Sequence, residues 1–312
     1  MDILIGELAI PIIQALQSLN DFLPDYIDLF FLIITQLGSV RIYIVFLVII
    51  YLINKKTGAR LIFLLIITSY LTYLVKGIFG NLRPYEVSAE IRNITEEPSY
   101  SFFSAHSSAT GAFWGYLALY TKNKRVVGLG IVLTILILLS RVYLAVHWPS
   151  DVVVGVIVGL LLAYLVYRYG NAIEERLKLM SDVQLLLMGV LISLVLAIIS
   201  VLVPIMAGTD LLRSANTEMP GALAGFAIGL ILERRTSNFS NLDLKSSDWK
   251  VKFVLRMMIG LIIVIGTYLV LSFLFGSFEG TEFQLITDYV RYLLMAFTGA
   301  FICPYLFVKL KI

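Results

Sequence analysis

The chain has 312 residues, of which 59% are hydrophobic and 14% charged, and its mean hydropathy is +0.92, a balance that excludes a water-soluble domain with a polar surface. The net charge of +3 is spread over many loops and offers no nucleic-acid surface. The single cysteine, Cys303, excludes an intramolecular disulfide and a cysteine-based metal cluster.

Apolar runs of about 20 residues, enough to cross ~30 Å of hydrocarbon, recur along the whole sequence and predict an all-α polytopic membrane protein. Before the first of them, Ile5, Leu8, Ile12, Leu16, Leu19 and Leu23 recur every three or four positions, with Glu7, Gln14, Gln17 and Asp21 between them. That pattern predicts an interfacial amphipathic helix over residues 1–24. Six spans follow in a first region, 25–175, at residues 25–39, 41–54, 59–79, 104–121, 126–145 and 150–169. A charged stretch at 170–182, read as a loop, leads to a second region, 176–312, with four more spans at 183–206, 217–233, 251–275 and 285–308. Gly155 and Gly159 in the sixth span, and Gly221, Gly225 and Gly229 in the eighth, stand four residues apart and give each helix a smooth face for close packing.

Basic loops stay in the cytoplasm, so Lys55, Lys56 and Arg60, then Lys122, Lys124 and Arg125, then Arg168, Arg176 and Lys178 mark one side. The loops 80–103, 146–149, 207–216 and 276–284 then face outward, and the first is acidic through Glu86, Glu90, Glu96 and Glu97. The expected location is the cell membrane, with both termini cytoplasmic.

Only two histidines occur, each at the outward end of a span among basic and hydroxylic residues, where ionisable groups are rare unless they function. Three segments surround them: KGIFGNLRP at 76–84, SFFSAHSSAT at 101–110 and SRVYLAVHWPSD at 140–151. Arg83 and Arg141 can offer planar forks to a phosphoryl group and Lys76 a point charge. Ser104 and the free N–H groups that begin the following span, including Ala105, add neutral donors at the positive end of a helix dipole. His147, four residues before Asp151, has a carboxylate to hold its imidazole and suits a nucleophile. His106, with no carboxylate nearby in sequence, suits an acid for the leaving group. Basic residues at span ends often only snorkel to the headgroups. Here their order, spacing and shared membrane side set them apart.

These segments resemble the type 2 phosphatidic acid phosphatase superfamily, whose pattern runs Lys-x6-Arg-Pro, Pro-Ser-Gly-His, then Ser-Arg-x5-His-x3-Asp. Lys76, Arg83 and Pro84 satisfy the first element, and Ser140, Arg141, His147 and Asp151 the third. In the second, Ser104 and His106 are retained, while Phe103 and Ala105 replace the usual Pro and Gly. The resemblance covers about residues 25–170. It implies a six-helix core, a phosphohistidine at His147, acid catalysis by His106, and phosphate binding by Lys76, Arg83, Ser104 and Arg141.

The function expected from these readings is hydrolysis of a lipid phosphate or diphosphate at the extracytoplasmic face, with polyprenyl diphosphate favoured and phosphatidic acid or phosphatidylglycerol phosphate as alternatives. A lipid phosphotransferase would use the same cradle, and a non-catalytic anionic-lipid transporter would share its charge. No metal or other cofactor is expected, because no carboxylate or cysteine cluster has ligand spacing. The expected partners are the lipid phosphate and the bilayer, with no nucleic acid and with homo-oligomerisation open.

Overall fold

The computed structural model describes residues 2–23 and 25–312. Helices are its regular elements: α1 (Asp2–Gln17), α2 (Tyr26–Gln36), α3 (Val40–Ile53), α4 (Lys55–Phe79), α5 (Pro84–Val87), α6 (Ala105–Thr121), α7 (Lys124–Tyr143), α8 (Pro149–Lys178), α9 (Asp182–Ala207), α10 (Leu211–Ser214), α11 (Glu218–Thr236), α12 (Trp249–Phe275), α13 (Gln284–Phe297) and α14 (Cys303–Lys309). A helix lies at each of the ten expected spans. By length and composition, six stretches among the described residues can cross a membrane: Lys55–Val87, Lys124–Tyr143, Pro149–Lys178, Asp182–Ala207, Trp249–Phe278 and Gln284–Lys309. α2 and α3 are apolar but shorter. α6 has 17 residues and opens on Ala-His-Ser-Ser, so the helix that carries a site histidine is also a short and polar one.

Two departures from the sequence reading have local causes. The stretch 170–178, read as loop, continues α8 to Lys178. No Pro interrupts it, and Lys178 pairs with Glu174 and Glu175 one turn back, while Glu174 also meets Lys56 and Arg60. Near the start, Gln17, a polar position of the amphipathic pattern, is buried, donating to the carbonyls of Arg92 and Tyr143 and accepting from the N–H of Arg92. Ile13, one turn earlier, joins the same core with Ala9, Ile91, Val142 and Trp148. The side chains of Ile5, Glu7 and Leu8, part of the amphipathic pattern, lie outside the described ones.

The chain forms two compact units. The first comprises 1–45, 67–169 and 203–214. Here the α8 glycines bring that helix onto the first turns of α6: a Cβ on Gly159 would stand 2.1 Å from the carbonyl oxygen of Ser108, and one on Gly155 2.8 Å from that of Ser104. Nothing larger than hydrogen fits, so Ser104 and His106 on α6 are held close to Asp151 at the start of α8. Ser104 caps α6 by accepting from the N–H of Ser107.

The second unit comprises 46–66, 170–202 and 215–312. The α11 glycines do there what those of α8 do in the first unit. A Cβ on Gly225 would stand 1.9 Å from the carbonyl oxygen of Leu293, and one on Gly221 2.2 Å from that of Tyr289, both on α13. Between α13 and α14 a single π-helical turn spans Thr298–Ile302. Pro304, early in α14, lacks an N–H and would clash with the carbonyl four residues before it, and the wider turn relieves both.

Candidate active site

Lys76, Arg83, Ser104, Arg141, His147 and Asp151 are each 2% exposed or less and gather, with the half-buried His106 and Ala105 of α6, in the first unit. Lys76 comes from the last turn of α4 and Arg83 from the N-cap position of α5. Arg141 lies in the last turn of α7, His147 in the connection after it, and Asp151 in the first turn of α8.

His147 sits between a carboxylate and a guanidinium. Its Nδ1 is 3.4 Å from Oδ2 of Asp151 and 3.4 Å from Oγ of Ser101, and its Nε2 is 3.5 Å from Nη1 of Arg83. Asp151 is itself fixed: Oδ2 accepts from Oγ of Ser101 and from the N–H of Trp148 at 3.1 Å, and its carbonyl accepts from the N–H of Ser104 at 3.2 Å. With the Nδ1 proton facing the carboxylate, Nε2 keeps its lone pair toward Arg83. Burial, followed by the charges of Arg83 and Lys76, pushes the His147 imidazole well below its usual range. Burial and these charges thus favour the neutral ring.

The two cations before it share one short stretch of backbone. Arg83 donates through Nε to the carbonyl of Ser99 (2.8 Å), through Nη2 to Oγ of Ser99 (3.1 Å) and the carbonyl of Tyr100 (3.2 Å), and through Nη1 to the carbonyl of Val146. With the contact to His147, all five of its N–H groups have a partner. Lys76 donates to Oγ of Ser99 at 3.0 Å and to the carbonyl of Tyr100, with its ammonium 5.5 Å from the centre of the Tyr73 ring.

Arg141 is held differently. Nη1 donates to Oγ1 of Thr35 (2.7 Å) and Nη2 to Oε1 of Glu97 (2.6 Å), while Nε is buried without a partner. Burial alone would raise the Glu97 carboxyl, but Arg141, His106 and Arg83 outweigh it and hold it at about 2. His106, at the second position of α6, makes no side-chain hydrogen bond among the described residues. Oγ of Ser108 donates to the carbonyl of Ala105 at 3.1 Å; of the first-turn N–H groups of α6, those of Ser107 and Ser108 are taken by the hydroxyl and carbonyl of Ser104, which leaves those of Ala105 and His106.

Glu97, Ser99 and Ser101 were not singled out from the sequence. Glu97 stood only among the acids of an outward loop, and the other two carry no periodic signal. Their roles arise from contacts with residues 16 to 50 positions away. Among the described residues no group of three or more His, Cys, Asp or Glu could hold a metal ion.

Two family models match the chain: the PAP2 superfamily over residues 57–175, and the transmembrane extension of PAP2 superfamily phosphatases over residues 217–312. The chain belongs to the PAP2 superfamily. It is an all-α polytopic membrane protein of that superfamily, with the extension. Among curated relatives it is 32% identical over 133 residues to an undecaprenyl-diphosphatase of Sulfolobus acidocaldarius, an alignment covering 40% of this chain and 63% of that protein. It is 30% identical over 132 residues to phosphatidylglycerophosphatase B of Bacillus subtilis, covering 39% of this chain and 63% of that one. The chain thus spans 63% of the length of these two relatives. The crystal structure of Aquifex aeolicus LpxE aligns with a TM-score of 0.45 at 21% identity, over 52% of this chain and 96% of that one.

Proposed function

We propose that this PAP2 chain is a metal-independent membrane phosphatase that hydrolyses a lipid phosphate or diphosphate through a phosphohistidine on His147. The observation that carries the reading is the setting of His147, with Nδ1 toward Asp151 and Ser101 and Nε2 toward Arg83. A binding site for anionic headgroups needs the cations but not a neutral, oriented imidazole among them. In this reading Nε2 attacks phosphorus and the P–O bond to the lipid breaks. His106 delivers a proton to the leaving oxygen, and water then cleaves the P–N bond of the intermediate. Arg83, Lys76 and the unpartnered Nε of Arg141 meet the phosphoryl oxygens, joined by Ser104 and the first-turn N–H groups of α6, Ala105 included. Phosphoryl oxygens would replace part of the present hydrogen bonding of Arg83 and Lys76, and buried cations already fixed lose little freedom on meeting them.

Polyprenyl diphosphate is the favoured substrate, in line with the name of the Sulfolobus acidocaldarius relative, and phosphatidylglycerol phosphate is the second reading, in line with that of the Bacillus subtilis relative. In this reading the site opens on the extracytoplasmic side of the cell membrane, which the distribution of basic loops supports, and the last four spans form an accessory region to the six-span core. The test is release of inorganic phosphate by the purified chain from a panel of polyprenyl and glycerol-based lipid phosphates, with a chelator present and no lipid acceptor. Turnover on polyprenyl diphosphate above the others is expected. Phosphate release that needs a lipid acceptor would point instead to a phosphotransferase, and binding without release to a transporter.

A further inference from the structure

The segment 203–214 belongs to neither stretch matched by the family models, yet it packs in the same unit as the site. We propose that Arg213, on α10, is a positioning residue for the cations Lys76 and Arg83. The proposal rests on the phosphatase reading of that site.

The argument begins with what Lys76 and Arg83 hold in common. Both donate to Oγ of Ser99 and to the carbonyl of Tyr100, and Arg83 also to the carbonyl of Ser99. Two buried cations that repel each other are therefore aligned by two consecutive residues of an irregular loop. Such a loop holds its carbonyls in place only if something else holds the loop.

Arg213 does so from both sides. Its Nε donates to the carbonyl of Pro98 (3.2 Å), just before Ser99, and its guanidinium lies 4.5 Å from the centre of the Tyr100 ring, just after it. Its Nη2 donates to Oε1 of Glu86 (2.9 Å), whose other oxygen accepts from the backbone N–H of Arg83 at 2.7 Å. One fork thus reaches the loop and the N-cap of the helix that carries Arg83. α10 is tied down in turn: the N–H of Asp210 donates to the Tyr100 hydroxyl (3.1 Å), Oδ1 of Asp210 accepts from the N–H of Arg213 (2.9 Å), and Oγ1 of Thr209 donates to the carbonyl of Gly77 (2.7 Å), next to Lys76. Gly80, at φ +60°, lets the chain leave α4 against Thr209, where a Cβ would stand 2.7 Å from its Cγ2.

Arg213 and Glu86 are half-exposed, at 30% and 23%, and a pair so placed contributes little to stability. Loss of Arg213 should therefore show in anion binding rather than in melting. The experiment titrates orthovanadate into the detergent-solubilised full chain by calorimetry at pH 7, with the melting temperature recorded alongside. Arg213→Met should weaken vanadate about tenfold or more, as a small displacement of binding groups does, with the melting temperature within about 3 °C of wild type. Arg213→Lys, which keeps the charge near Tyr100 but not the fork, should fall between the two. If Arg213→Met does not fold, Tyr100→Phe, which deletes only the hydroxyl that meets Asp210, must weaken vanadate in the same direction. Unchanged vanadate affinity in whichever variant is folded overturns the proposal alone. A wild-type chain that binds no vanadate overturns the phosphatase reading and takes this proposal with it.

Discussion

Nη1 of Arg83 lies 3.5 Å from Nε2 of His147, so the guanidinium stands beside the nitrogen that attacks phosphorus in the proposed mechanism. Because its other N–H groups are spread over Ser99, Tyr100 and Val146, the position of that nitrogen depends on a planar fork. Arg83→Lys keeps the charge and cannot make those contacts together. Turnover should fall about 100-fold in a folded protein, read as kcat on the best lipid substrate. Activity within about threefold of wild type would show that charge alone suffices.

The proposed role of His106 as the acid for the leaving group has a kinetic signature. His106→Ala should lose most activity on a lipid monoester, about 100-fold or more, and much less on an aryl phosphate with an acidic leaving group, which needs little protonation. Equal losses on both substrates would contradict an acid role.

Glu97 provides a pH test. Its carboxyl is lowered from 4.5 to about 2 in the folded chain, so it contributes stability that is present above the unfolded value and is lost as pH falls toward the folded one. Glu97→Gln removes that contribution. The melting temperature of wild type should drop more steeply than that of the variant between about pH 4.5 and 2. Parallel curves would show that the ion pair with Arg141 is not what holds the carboxyl down.

The side of the membrane is testable by labelling. With Cys303 replaced, a cysteine introduced by Ala89→Cys in the acidic loop should react with a membrane-impermeant thiol reagent in intact cells, whereas one introduced by Asn123→Cys should react only after lysis. The reverse pattern would place the site in the cytoplasm and leave the chemistry untouched.

Much of the fold, and the grouping of most candidate site residues, is legible in the sequence for physical reasons that differ by residue. The ten apolar runs fall on helices, and six stretches also have the length that hydrocarbon thickness sets, whereas α2 and α3 are shorter. Four-residue glycine spacing in α8 and α11 marked close packing because a helix returns to the same face in about that interval. Lys76, Arg83, Arg141, His147 and Asp151 carried a motif because each is a chemically distinctive side chain at a short fixed spacing. What escaped lacks both properties. Ser99 and Tyr100 act on Lys76 and Arg83 through backbone carbonyls, which every residue has, and through the Ser99 hydroxyl, a common side chain that no spacing marks. Glu97 meets Arg141 and Arg213 meets Glu86 across 44 and 127 positions, and loops follow no periodicity that would foretell it. The charge at 170–178 reads as a loop signal, whereas Glu174, Glu175 and Lys178 form helical pairs.

The account stands or falls on a covalent bond at His147. Rapid acid-free quenching of the chain with substrate carrying a radiolabelled terminal phosphate, followed by peptide mapping, should find an alkali-stable, acid-labile label on the peptide that contains His147, with a chelator present throughout. The same experiment on His147→Ala should give no label and no turnover. A variant that keeps activity within about tenfold of wild type, a loss of only ~1.4 kcal/mol in transition-state stabilisation, or a label that persists without His147, would contradict it.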